Sequence, residues 1–231
     1  MKLLSLFLSA LLLLSPVTVA GSTSAEALCQ ALADACADVE VQAVGTTAGL
    51  QAVLNGTAQV AAASRKLTEE ETEQGLTAWP IARDAIAVVV SPQVAADGLT
   101  RQQLRDIWQG RTACWPDGTP IVTVSQQAGS GTRAAFDAAV ASPVCGTPIC
   151  SGNGSVKCTV ASLSGAIGYY SAALGFEGVK VLAVDGYYPW QPEYPLWRSI
   201  DLVAKQSCPF IEFALSPAGQ RIVRRQGYLP P

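Results

Sequence analysis

Gln126-Gln127-Ala128-Gly129-Ser130-Gly131-Thr132-Arg133 combines two glycines, two hydroxyls and a cation within eight residues. It follows the β-like run Ile121-Val122-Thr123-Val124 and opens a helical pattern over residues 134–140. A strand that feeds a Gly-Ser-Gly-Thr turn into a helix leaves backbone N–H groups without helical partners, at the positive end of the helix dipole. That is a place for an anion. Glycines let the backbone close on a ligand, the Ser130 and Thr132 hydroxyls add donors, and Arg133 adds charge. An ordinary capped turn has the same composition, so the motif gains weight only by recurring.

It recurs at the ends of three other β-like runs. Val17-Thr18-Val19-Ala20 leads into Gly21-Ser22-Thr23-Ser24 and a helix over residues 25–36; residues 39–44 lead into Gly45-Thr46-Thr47-Ala48-Gly49 and a helix over 50–54; residues 59–63 end at Ser64-Arg65-Lys66. Strands alternating with helices predict an α/β fold with mostly parallel sheets. In such sheets the strand carboxyl ends meet the ligand crevice at the topological switch point. Thr23, Ser24, Thr46, Thr47 and Ser64 are therefore expected to converge, with Arg65 beside them. A helix cap needs Ser or Thr but no glycine. Glycines at positions 21, 45 and 129 favour a backbone wrapped on an anion instead.

Further along, Thr68-Glu69-Glu70-Glu71 and Thr100-Arg101-Gln102-Gln103 are capping boxes that start helices, the second closing near Gly110. Residues 84–90 form a long apolar strand able to pass from one lobe to another. Residues 165–170 are a glycine-flanked strand or tight turn, 199–204 a returning strand, and 209–215 and 218–223 closing helices. Trp108, Trp115, Tyr169 and Tyr170 are expected in the core. Asn55-Gly56-Thr57 and Asn153-Gly154-Ser155 fit the glycosylation pattern.

The 231 residues, 49% hydrophobic, suffice for a sizeable core in one large domain or two lobes. Met1-Lys2 and the apolar run over residues 3–14 have the form of an export signal, too short to span a bilayer. Residues 1–20 are assigned to the signal, with two readings of its end: Thr18-Val19-Ala20 suits a cleavage site and also a first strand. Its removal takes away Lys2 and no acid, moving the net charge from −3 to −4. An acidic chain argues against nucleic acid, which demands an excess of Lys and Arg. Seven cysteines in an exported chain favour disulfides, with one staple expected among Cys145, Cys150 and Cys158. Cys29 and Cys36, seven apart on one helix, lie about 10 Å apart and do not pair. No histidine is present, which excludes a Ser-His-Asp triad and a His-ligated metal. Ser64 and Lys66, two apart at a helix start, need not face each other as a nucleophile and base. The turn at 129–133 lacks the lysine of a nucleotide-binding P-loop. No enzyme activity, cofactor or metal is expected.

The four turns together resemble those of the phosphate-binding proteins (PstS) of bacterial phosphate ABC transporters. Gly98-Leu99-Thr100 leading into Leu104-Arg105-Asp106-Ile107-Trp108-Gln109-Gly110, Gly165-Ala166-Ile167-Gly168-Tyr169, and the tail Phe213-Ala214-Leu215-Ser216-Pro217-Ala218-Gly219-Gln220 are similar to the same family. The resemblance implies a two-lobed type II periplasmic-binding-protein fold, with lobe 1 from residues 17–88 and 196–231 and lobe 2 from 89–195. It implies inorganic phosphate or a related oxyanion held between the lobes, a monomer in the periplasm or outside the cell, and a membrane permease as partner. By position, Thr23 and Ser24 match the first donors, Thr46 or Thr47 the second, and Ser130, Gly131 and Thr132 the third. Where the familiar pattern has an Asp, this chain has Arg65; where it has an Arg, this chain has Gln126. Loss of the proton-accepting carboxylate leaves the choice between phosphate and sulfate open, with Arg65 expected to neutralise in place of Gln126. A sensor or adhesion module with the same fold is the alternative to transport.

Overall fold

The computed structural model describes residues 16–36, 38–140 and 148–231; the apolar run of the leader and Cys145 lie outside the described residues. In chain order the elements are β1 (Val17–Gly21), α1 (Glu26–Ala33), β2 (Val39–Gln42), α2 (Thr46–Leu54), β3 (Val60–Ala63), α3 (Glu69–Glu73), β4 (Thr77–Val90), β5 (Gly98–Leu99), α4 (Arg101–Trp108), β6 (Val122–Thr123), β7 (Ser125–Gln126), α5 (Gly131–Val140), β8 (Ile149–Cys150), α6 (Asn153–Ser162), β9 (Ala166–Ser171), β10 (Lys180–Val181), β11 (Ala183–Val184), β12 (Trp197–Ala204), α7 (Pro209–Leu215) and α8 (Pro217–Arg225).

One mixed sheet runs through the molecule in the order β2-β1-β3-β12-β4-β9-β6, with β10 also paired to β4. β1 is parallel to β2 and β3, and β6 is parallel to β9, so each end of the sheet is a βα unit delivering its strand ends to one edge. β4 and β12 are the two antiparallel strands that join the ends. Ile81 and Ala82 of β4 pack in a core with Leu28, Leu32, Ile211 and Val223, whereas Ala85, Ile86 and Val88 pack in another with Trp108, Phe136 and Tyr169. Leu196, just before β12, belongs to the second core and Ile200, on β12, to the first. Each lobe adds a further cluster, around Leu50, Val53 and Val203 in the first and Val89, Val156 and Tyr170 in the second; the lobes meet at a two-stranded neck, and the chain is a two-lobed α/β protein.

Local chemistry explains the elements. Both capping boxes form with reciprocal bonds, Thr68 with Glu71 and Thr100 with Gln103, and α4 turns Leu104, Ile107 and Trp108 inward at helical spacing. Of the two readings of residues 165–170, the strand is the one found, as β9 from Ala166 to Ser171. Phe136 stacks on Tyr169 with ring centroids 4.0 Å apart, and Trp108 meets Phe136 edge-on at 4.9 Å. Such pairs add about 0.5–1.5 kcal/mol beyond area burial. β4 starts at Thr77, seven residues before the apolar run, because Pro80 sits opposite Asp201 where the register of β12 shifts. A proline is tolerated in a strand at such a bulge.

β1 also resolves the two readings of residues 17–20. It lies between β2 and β3, with Val19 and Ala20 buried. Residues 17–20 therefore form a strand of the sheet, as the second of those readings has it. Cys29, Cys36, Cys114, Cys150, Cys158 and Cys208 all carry free thiols, so Cys150 and Cys158 form no staple with each other.

Candidate functional site

The strand ends at Gly21, Gly45 and Ser64 are stitched together by their backbones. Ser22 N donates to Ala62 O at 2.8 Å and Gly45 N donates to Gly21 O at 2.7 Å. A Cβ at Gly21 would lie 2.2 Å from Ala62 O, so the crossing of these turns requires glycine. Side chains then make one buried hydroxyl cluster: Ser22 Oγ with Ser24 Oγ and Ser64 Oγ at 2.8 Å each, and Thr46 Oγ1 with Ser64 Oγ at 3.2 Å. The fourth turn arrives from the other lobe. A Cβ on Gly131 would fall 2.2 Å from Ser64 Oγ and 2.4 Å from Thr46 Oγ1, and Thr47 N donates across the cleft to Gly129 O at 3.3 Å. The N-caps of α1 and α2, Ala25 and Gly45, supply no side-chain cap, and in the first turn of α2 the Thr47 N–H is taken by Gly129 O.

The charge in this cluster comes from the neck. Arg198, on the inward face of β12 between Leu196 and Ile200, is only 7% exposed. Its Nε and Nη2 donate to Asp84 Oδ2 at 2.9 and 2.6 Å, and its Nη1 donates to Thr132 Oγ1 at 2.6 Å. Asp84, its direct cross-strand neighbour, also accepts from Ser171 Oγ at 2.9 Å. Burial pushes the Asp84 carboxyl up, against the pull of Arg198 and Ser171. A guanidinium has five N–H groups. Three are used here, so two remain without an acceptor among the described residues.

Asn153 at the start of α6 ties the lobes together. Its Oδ1 accepts from Gln126 Nε2 at 3.2 Å, from Ser171 N at 3.0 Å and from Thr132 Oγ1 at 3.4 Å, and its Nδ2 donates across the cleft to Thr23 Oγ1 at 3.2 Å. Only 4% exposed, it is no glycosylation acceptor in the folded protein.

Of the residues singled out in the sequence, Ser24, Thr46, Ser64, Gly131 and Thr132 are brought into this buried cluster, with Thr23 and Thr47 at its edge. Others are engaged elsewhere. Arg65 forms a fork on Glu71, with Nη1–Oε2 2.8 Å and Nη2–Oε1 2.7 Å, so its charge is already balanced. The Gln126 amide is held by Asn153, by Tyr169 O and by Ser130 Oγ, which donates to it at 2.6 Å. Ser130 caps α5 by accepting from Arg133 N, and Arg133 donates to Gln126 O at 3.0 Å. Gln126, Ser130 and Arg133 thus shape the turn from within. Ser22, Asp84, Asn153 and Arg198 were not among the expected site residues. The available signal for Arg198 was a charge at the inward position of an alternating strand.

Known proteins match this arrangement. The model of the PBP superfamily domain covers residues 13–217, and the chain belongs to that superfamily as a PstS-like member. The phosphate-binding protein PstS of Bacillus subtilis is 29% identical over 241 residues, covering 93% of this chain and 80% of that protein. PstS 2 of Streptococcus agalactiae is 34% identical over a shorter stretch of 107 residues, 44% of this chain and only 36% of that protein. A solved Clostridium perfringens structure with bound phosphate, described as a candidate phosphate ABC transporter substrate-binding protein, superposes with a TM-score of 0.88 at 30% identity, covering 94% of this chain and 99% of that one.

Proposed function

We propose that the protein captures inorganic phosphate, or a tetrahedral oxyanion of the same shape, between its lobes and hands it to a membrane ABC permease. One observation carries the reading: hydroxyls from four separate turns and a buried guanidinium with two unused N–H groups meet in one water-poor cleft. Desolvating an isolated anion costs on the order of tens of kcal/mol in the Born limit, and each hydrogen bond to a charged group returns roughly 1.5–3 kcal/mol. Several donors plus one cation are what such a ligand needs, and Arg198 is the cation we assign to it. Relatives named as phosphate-binding proteins, and a neighbour solved with phosphate, support the choice of ligand.

The ligand is bound without chemistry. It bridges Thr46 and Ser64 on one lobe and Thr132 on the other, so closure and binding are one equilibrium. Both halves of the site come from one chain, which suits a monomer. Residues before Val17 serve as an export leader, placing the mature protein in the periplasm or outside the cell. The site's carboxylate, Asp84, is turned to Arg198 and Ser171, so a ligand's proton must be accepted by a hydroxyl, and sulfate is expected to bind as well as phosphate. Titration calorimetry with phosphate, arsenate and sulfate tests this. Heat with all three is the expected result; no heat with any of them overturns it.

A further inference from the structure

Beside Arg198, a groove of about 790 Å³ runs between the lobes. Its volume lies within the roughly 300–1,000 Å³ typical of sites for organic ligands, far more than a bare tetrahedral ion fills. One wall is α5, with the half-buried Ala135 and the exposed Ala138; the opposite wall is Trp197 and Pro80 from the neck strands. Arg83 lies over the Trp197 ring at 5.1 Å, and Lys66 lies on the rim. The groove is therefore apolar along its walls and cationic at its mouth in a chain of net charge −3.

Arg198 belongs to both places. Its Nη1 holds Thr132 in the hydroxyl cluster, and the same side chain lines the groove. It is more than nine-tenths buried, with two N–H groups lacking an acceptor. An anion held by those groups has hydroxyls on one side and the groove on the other.

We propose that the groove takes the organic group of a monosubstituted phosphate or phosphonate whose anionic head is held at Arg198. The proposal rests on the oxyanion reading of that site and extends it to a ligand class. The apolar substituent lies against Ala135 and Ala138, and Arg83 and Lys66 draw the anion in. A bare ion leaves the groove to water; a phosphoryl group with an aryl substituent uses both.

Phenylphosphonate and inorganic phosphate, titrated separately and in competition into the full-length protein, test it. Phenylphosphonate is expected to bind and to displace phosphate. Ala138 is exposed, so Ala138→Trp fills the groove without touching the core. It should weaken phenylphosphonate by about tenfold or more, roughly 1.4 kcal/mol, and leave phosphate affinity unchanged. Ala135→Leu, checked for an unchanged melting curve, is a second filling variant with the same expected split. Phosphate binding without phenylphosphonate competition overturns the proposal, as does phenylphosphonate binding that ignores both variants. If neither compound binds, the oxyanion reading falls and the groove assignment with it.

Discussion

Asp84 and Arg198 stand directly opposite each other on the two strands of the neck, forming a buried ion pair of 2.6 Å whose remaining arm reaches Thr132 of the second lobe. Removing either partner strands a charge in the interior, which typically costs about 3–5 kcal/mol. Arg198→Ala should therefore lower stability by that amount in denaturant titration. Arg198→Lys keeps the charge but loses the fork, and should keep most of the stability while weakening phosphate binding by about tenfold or more, about 1.4 kcal/mol. An Arg198→Lys protein with full phosphate affinity would remove Arg198 from the site.

Gly131 has no room for a side chain at the lobe interface. In Gly131→Ala the new methyl meets Ser64 Oγ and Thr46 Oγ1, and α5 must withdraw from the first lobe. The expected signature is a lowered thermal midpoint together with a large loss of phosphate affinity, read by calorimetry and melting on the same preparation.

Glu71 is held below the usual glutamate range, first by its hydrogen bonds from Arg65 and then by the Thr68 backbone, against some desolvation. A carboxylate depressed in the folded state contributes stability that is present above its unfolded pKa, about 4.3, and lost as pH falls through the folded value. Glu71→Gln should then cost about 1 kcal/mol at pH 7 and flatten the stability profile below pH 4 relative to the parent. Because Arg65 belongs to this pair, Glu71→Gln is expected to spare phosphate binding.

β1 sets where a leader can end. N-terminal sequencing of the exported protein should find the first residue at or before Val17. A mature chain beginning at Gly21 would lack an inner strand of the sheet and contradict the fold.

The turns were legible because anion binding and helix capping use residues adjacent in the chain: Gly21 to Ser24, Gly45 to Thr47, Ser64 and Gly129 to Thr132 announce themselves locally. The Asp84–Arg198 pair joins residues 114 positions apart, through a register that only the paired strands define. Pro80 hid the first half of β4, since its accommodation depends on a bulge in β12. Asn153 showed in the sequence only a glycosylation pattern, whereas in the fold it opens α6 behind the N-cap Gly152. We assign to Arg198 the role expected of Arg65, because Glu71, six residues on, claims the Arg65 fork.

The most direct test of the central claim is phosphate titration calorimetry on the parent and on Ser64→Ala/Thr132→Val, which removes one cluster hydroxyl from each lobe at nearly constant shape. The parent should give a clear exothermic isotherm and the double variant should lose at least about 3 kcal/mol of binding free energy, from two hydrogen bonds to a charged ligand at roughly 1.5–3 kcal/mol each. Equal affinity in the two proteins would contradict that claim.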